Sequence, residues 1–262
     1  QRRLVELGDA RDQREPADLE RLRPLSTARP SDRTGSGGSR SQRGRPRGGW
    51  AGMTGADSAR FARAIACFDA ANGEDPNRES DGGGVRPKEL LYAERMTAML
   101  ARFAPQASEP LRLAARCQHI QRWKIPRADY PMTRVGYQQW RVRLRDFHAG
   151  LAGGILRDAG YDDATIARVG SLIRKEALKT DAEAQALEDV VDLVFLESYL
   201  ADFVTEHPGY DEAKFVDILK KTGRKMSARG RAAALTLISP PPALLPVIRK
   251  AMDEAGVAGD PV

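Results

Sequence analysis

Five side chains of the kinds that hold metal ions or move protons fall on successive apolar-patterned segments of this chain: Glu94, His119, His148, Glu176 and Asp189. Each has apolar neighbours, as in Leu90-Leu-Tyr-Ala-Glu94, Phe147-His148-Ala149 and Leu187-Glu-Asp189-Val-Val191. Three carboxylates and two imidazoles inside a helical bundle form an oxygen-rich ligand field, better suited to Mn, Fe or Mg than to structural zinc. A divalent metal held there would activate water and offset the charge that builds on a phosphoryl group. All five are expected metal ligands, and Glu94, His119 and Asp189 the expected catalytic members.

A second group surrounds the first. His119 is followed by Arg122-Trp-Lys-Ile-Pro-Arg127 and then by Tyr130, Tyr137 and Trp140. Cations beside aromatic rings hold phosphate and stack on a base or sugar. Arg122, Trp123, Arg127, Lys175 and Lys179 are therefore expected substrate contacts, and the expected ligand is a phosphorylated small molecule or a nucleotide. This amounts to a metal-dependent phosphohydrolase-like domain. A reading from another class stands beside it. Helical carboxylates usually face water, single histidines usually join structural hydrogen bonds, and Trp123 and Trp140 serve equally well as core anchors. The chain is then a non-catalytic helical binding or scaffold module with a polar network at its centre. No local pattern for a Ser or Cys nucleophile accompanies either reading, and Gly82-Gly-Gly84 lacks the strand and lysine of a phosphate loop.

The elements that must position these residues repeat with the helical period almost throughout. One helix carries Phe61, Ile65 and Phe68, and a polar Gly-rich loop spans 72–87. Pro87 opens a second helix, and Ser108 caps a third that reaches Ile120. A long helix runs from about Thr133 to Asp158, with Gly160 behind it. Asp162 or Asp163 starts a helix to about Lys179, and Asp181 starts another that continues through Phe203 to Pro208. Shorter helices follow at about 211–222, 228–238 and 241–255. No useful strand is expected. The fold class is all-α, a single multi-helix bundle over 56–258. Short turns make neighbouring helices antiparallel, so residues equally far from a turn share a height. That argument pairs Glu94 with His119, His148 with Glu176, and Glu176 with Asp189. At least three of the five should then meet within roughly 7 Å, the reach of one or two bridging ions.

Composition narrows the setting. The 262 residues are 41% hydrophobic and 30% charged, with a net charge of +6. Residues 1–52 hold twelve Arg, no Lys and seven acidic residues, a net of +5, which leaves +1 for the remaining 210. The bundle is close to neutral, so nucleic acid is not its expected partner. Residues 1–55 read as a disordered Arg/Gly/Ser-rich leader, too poor in apolar surface to offset ordering entropy, and Met53 is a candidate natural start. No run approaches the length of a membrane span, and no secretory signal is visible. Cys67 and Cys117 are far apart and carry no metal or disulfide pattern, so a cytoplasmic setting is expected.

Several motifs resemble the bacterial and fungal family catalogued as domain of unknown function 4202. They are Asp69-Ala-Ala-Asn72, Glu74-Asp-Pro-Asn77, Glu89-Leu-Leu-Tyr-Ala-Glu-Arg-Met96, Gln118-His-Ile-Gln-Arg-Trp123, Ile125-Pro-Arg127, Tyr130-Pro-Met132 and Leu187-Glu-Asp189. A more remote likeness is to the His-Asp metal-dependent phosphohydrolases. The helix ending in Gln118-His119 is similar to theirs that ends in a His-Asp doublet, and Glu94 stands where their first His would be. That resemblance implies an HD-like helical fold, a metal and hydrolysis of a phosphate ester. Lys225-Met-Ser-Ala-Arg229 is similar to the lysine loop of class I aminoacyl-tRNA synthetases. Those enzymes need a parallel sheet, which an all-helical pattern excludes, so a glutamyl-tRNA synthetase reading is set aside and Ser227 is taken as a helix cap.

Overall fold

The computed structural model describes residues 55–257. The expected start at Met53 and the expected disordered leader lie outside the described residues, except for Gly55 at its end, which begins a helix. Among the described residues ten α-helices follow in order: α1 (Gly55–Gly73), α2 (Lys88–Phe103), α3 (Glu109–Cys117), α4 (Arg134–Asp158), α5 (Asp163–Arg174), α6 (Ala182–Ser198), α7 (Leu200–Glu206), α8 (Glu212–Gly223), α9 (Ala228–Thr236) and α10 (Leu245–Val257). The all-α multi-helix bundle expected from the periodicity is the architecture found.

Six of these helices begin at a side-chain cap. Ser108 Oγ accepts from the Leu111 N–H, Thr133 from Gly136, Asp162 from Thr165, Asp181 from Glu183 and Ala184, Asp211 from Lys214, and Ser227 from Gly230. Each satisfies one or two of the amides that a helix start leaves without an intrahelical partner, a contribution of about 1 kcal/mol apiece. Helix α6 is the centre of the bundle. Ala184 and every residue from Leu187 to Leu196 are buried, and the helix packs on α2, α3, α5, α7 and α9. Helix α3 packs on α1, α2, α5 and α6. One hydrophobic cluster runs from Ala64 on α1 to Met252 on α10. Among the described residues no helix is long and apolar enough to cross a membrane.

Four local features depart from the periodicity. Helix α3 stops at Cys117, and the chain turns through Gln121 at φ 49° instead of continuing past His119. Helix α5 stops at Arg174 instead of Lys179, because Lys175 and Ala177 take left-handed conformations at φ 59° and 54°. The helix begun by Asp181 breaks at Tyr199 into α6 and α7. The polar loop contains a small antiparallel hairpin, β1 (Arg78–Ser80) with β2 (Val85–Pro87), reversed through Gly82 and Gly84 at positive φ.

The motif Glu74-Asp-Pro-Asn77 is the latch that joins this hairpin to the bundle. Asp75 is fully buried; its Oδ1 accepts from the Asn77 backbone and side-chain amides, and its Oδ2 accepts from the Glu89 amide at the start of α2. Asn72, buried at the end of α1, accepts the Gln121 N–H at 2.9 Å, and Gln121 donates in turn to Glu74 and to the Ala71 carbonyl. Arg116 grips Asp69 with two bonds of 2.6 and 2.7 Å. These contacts fix the left-handed turn after α3, which sets the direction of His119 and Arg122.

Candidate functional site: a cationic cleft beside two histidines

The turn after α3, one face of α4 and the end of α5 enclose a small cleft. It is lined by Gln118, His119, Arg122, Arg141, Leu144, Arg145, His148, Ile173 and Lys175, and its cavity volume is about 30 Å³. Four of its residues are cations. Arg141, Leu144, Arg145 and His148 recur at helical spacing, so α4 turns a single stripe towards it.

His148 is the most enclosed polar group of the cleft, 2% exposed. Its Nδ1 lies 2.8 Å from the Ile120 carbonyl oxygen. A carbonyl can only accept, so Nδ1 carries the proton. Burial, together with the charges of His119 and Arg122, holds the imidazole well below its ordinary pKa. At neutral pH the ring is uncharged and Nε2 bears a lone pair. That Nε2 is buried and has no hydrogen-bond partner among the described residues.

His119 lies across the cleft with its ring centre 5.9 Å from that of His148. It stacks on Tyr92 at 4.5 Å, and its Nδ1 is 3.6 Å from Glu89 Oε2. Its Nε2 is 3.4 Å from Arg122 Nη1. Arg122 also stacks over Trp140 at 4.9 Å, and Trp140 donates its indole N–H to the Ile125 carbonyl. Trp140 is thus a core anchor whose ring supports a cleft cation.

Behind the cleft lies a buried charge cluster. Lys175 forms a close ion pair with Glu188. Lys225 reaches Glu188 at 3.5 Å and Asp192 at 3.1 Å. Burial alone would raise the Glu188 carboxyl, but Lys175 and Lys225 outweigh it and hold the group below the usual range. The opposite balance holds at Asp192, where burial and the Glu188 charge prevail over Lys225 and raise the carboxyl. Asp192 Oδ2 has no partner among the described residues. Lys175 therefore belongs to both systems, facing the cleft on one side and the buried carboxylates on the other.

The structure brings together two of the five expected metal ligands, His119 and His148. Glu94 is not with them: α3 ends before His119, so equal spacing from the turn does not give equal height, and Glu94 pairs instead with Arg86 of the hairpin at 2.7 Å. Glu176 lies beyond the end of α5, exposed and 3.9 Å from Arg174. Asp189 is buried but committed to α9. It accepts from the Ser227 amide at 2.8 Å, the Ser227 hydroxyl at 2.6 Å and Gln185 at 3.1 Å, and burial raises its pKa despite those bonds. Among the described residues no three His, Cys, Asp or Glu side chains are grouped to hold a metal ion.

Of the expected substrate contacts, Arg122 and Lys175 line the cleft. Arg127 is a loop brace that donates to the Tyr130 and Pro131 carbonyls. Trp123 is half-buried, Lys179 is exposed, and neither lines the cleft. Arg141 and Arg145 are not among the expected site residues, nor are Glu188 and Asp192 behind them, and Gln118 is expected only as part of the doublet-like motif. The α4 stripe at i, i+3, i+4 and i+7 was the available signal for the two arginines. Lys225-Met-Ser-Ala-Arg229 resolves into a Lys225 ion pair and the Ser227 cap of α9. Cys67 and Cys117 are both free thiols.

The family described as a domain of unknown function (DUF4202) matches residues 62–248. No curated protein and no solved structure matches the chain significantly.

Proposed function

The chain belongs to the DUF4202 family, and from the cleft geometry we propose that it binds the phosphoryl group of a phosphorylated small molecule or nucleotide and hydrolyses the ester. The observation that carries this reading is that four cations, Arg122, Arg141, Arg145 and Lys175, line one cleft with His148, whose buried Nε2 is unpartnered among the described residues. Cations placed where charge develops on phosphoryl oxygens stabilise the transition state, more strongly in a cleft of low dielectric than in water. His148 Nε2 accepts the proton of a water whose oxygen bonds to phosphorus. The P–O ester bond breaks, and the leaving oxygen takes a proton from solvent. His119, beside Glu89, orients the ligand with Arg122. The general-base role is one for which a positioned imidazole is well suited.

The Mn, Fe or Mg ion expected from the sequence does not fit this donor set. Only two of its five expected ligands meet, and an ion between His119 and His148 would share the cleft with four cations and no lining carboxylate. Activity in this reading persists in the presence of a chelator. The binding or scaffold reading keeps support of its own, since Asp189 serves a helix cap and Glu188 serves an ion cluster.

Release of inorganic phosphate from a panel of phosphate monoesters and nucleotides separates the two. Turnover that falls at least about tenfold in Arg122→Ala supports hydrolysis, given the usual weight of a transition-state cation. Saturable binding of the same compounds without turnover in the wild type supports the binding module. The absence of both binding and turnover overturns the phosphoryl reading of the cleft.

A further inference from the structure

The cationic wall of the cleft does not by itself distinguish one oxyanion from another, but His148 does. Its Nδ1–H is committed to the Ile120 carbonyl. The opposite nitrogen therefore presents a lone pair, buried and without a partner among the described residues. The charged and imidazole groups that line the cleft with it come from three elements. They are His119 and Arg122 from the turn after α3, Arg141 and Arg145 from α4 itself, and Lys175 from the end of α5. In the ligand-free protein, adding a proton to Nε2 would place a fifth positive charge in a cleft lined by four, so at neutral pH the lone pair is kept there.

We propose that His148 selects oxyanions that carry a hydroxyl, so that the cleft accepts hydrogen phosphate and rejects sulfate. A ligand in this site must satisfy donors on most sides and an acceptor at one point. Hydrogen phosphate has acceptor oxygens for the arginines and Lys175, and one P–OH to donate to His148 Nε2. Sulfate at neutral pH has acceptors only. One of its oxygens would oppose the Nε2 lone pair, with the loss of a buried hydrogen bond and repulsion added. A site built to accept a hydrogen bond discriminates strongly against a ligand that cannot donate it. The inference rests on the phosphoryl reading of the cleft and extends it: once His148 has returned the proton of the attacking water to solvent, its neutral Nε2 accepts a hydrogen bond from the P–OH of the product.

The test is calorimetric titration of the full chain at pH 7 and fixed ionic strength with four anions: phosphate, arsenate, sulfate and selenate. Phosphate and arsenate carry an O–H at this pH; sulfate and selenate do not. Arsenate and selenate are the larger member of each pair, so size and donor capacity are separated. Sulfate carries at least the average charge of phosphate, so electrostatics alone does not favour phosphate over it. The expected result is that phosphate and arsenate bind at least about tenfold more tightly than sulfate and selenate. His148→Gln supplies a carboxamide that can donate, and should bring sulfate to within about threefold of phosphate. A direct reading that needs no variant is the ¹⁵N shift of His148 Nε2, which stays in the unprotonated range in the free protein and moves on addition of phosphate but not of sulfate. Equal affinity for all four anions overturns the selection while leaving the cationic cleft intact. Binding of none of them overturns both.

Discussion

His148 on α4 and Ile120 in the turn after α3 are joined by a 2.8 Å hydrogen bond from the imidazole Nδ1–H to the backbone carbonyl. This contact ties the long helix to the turn that carries His119 and Arg122, and it fixes which nitrogen of the ring faces the cleft. The same bond is structural and chemical at once. Replacing His148 with Ala removes the donor, leaves the Ile120 carbonyl unsatisfied and opens a cavity. The expected loss is about 1–3 kcal/mol of stability, measured by urea unfolding at pH 7. A loss below about 0.5 kcal/mol, smaller than one net hydrogen bond, would show that the contact does not anchor the turn.

The lowered pKa of His148 sets a direction with pH. A buried histidine held neutral contributes stability that is fully present above its unfolded pKa and declines as pH falls, because the unfolded chain takes up the proton more readily. Wild type should therefore lose stability relative to His148→Gln as pH falls below about 6.5, the ordinary histidine value. Parallel pH profiles for the two proteins would contradict the neutral assignment.

Lys175 and Arg122 separate cleft binding from stability. Arg122 sits on the rim, stacked on Trp140 and linked to His119, so Arg122→Ala should reduce phosphate affinity by about tenfold or more, in the range of a charge-assisted contact, with little change in melting temperature. Lys175→Met removes a cation from the same cleft and also the partner of buried Glu188. It should cost several kcal/mol of stability, on the order of 3–5 for breaking a buried pair. Calorimetric titration with phosphate and urea unfolding of each variant give the two readouts. Arg122→Ala with unchanged phosphate affinity would remove Arg122 from the site.

Most helices and their starts were legible because caps and prolines state them locally: Ser108, Thr133, Asp162, Asp181, Asp211 and Ser227 all cap where their residue types suggest, whereas the break at Tyr199 between α6 and α7 has no such local mark. The pairing of side chains across turns was not. It assumed that helices run to their apolar limits, whereas left-handed residues at Gln121 and Lys175 stop α3 and α5 early. Nothing in a glutamine or a lysine announces positive φ; Gln121 is held there by Asn72, 49 residues away. The same limit explains Asp189. As a helical carboxylate among Val and Leu it reads as a ligand, and only tertiary contact with Ser227 reveals a brace for α9.

That brace yields its own prediction. Gly230 lies so close to Asp189 that a Cβ there would meet the carboxylate carbon at 2.6 Å. Gly230→Ala should therefore destabilise the protein although α9 itself would gain helix propensity. Asp189→Ala should destabilise too, by about 1–3 kcal/mol, since it deprives the Ser227 amide and hydroxyl of their acceptor. Neither should change phosphate affinity, because neither residue lines the cleft. If Asp189→Ala abolishes phosphate binding in a protein with unchanged melting temperature, Asp189 belongs to the site and not to the scaffold.

The buried cluster gives the last prediction, with a sign that can be checked. Asp192 has its carboxyl raised to about 7 by burial and by the Glu188 charge, against the pull of Lys225. The unfolded chain ionises this group near pH 3.8. Between the two values the folded state binds the proton that the unfolded state has released, so stability falls as pH rises through this window. Glu188 acts in the reverse sense, since its lowered pKa costs stability only as pH falls below its ordinary value. The Asp192→Asn variant keeps a neutral side chain of the same shape at every pH. Its melting temperature should match or fall slightly below wild type at pH 5, where Asp192 is protonated in the fold. It should rise relative to wild type by pH 8, where the wild-type carboxylate is ionised with Oδ2 unpartnered. Glu188 remains to pair with Lys225 in the variant, so the lysine is not stranded. A variant less stable than wild type by a growing margin from pH 5 to pH 8 would mean that the Asp192–Lys225 pair outweighs burial, and that the carboxyl is ionised throughout.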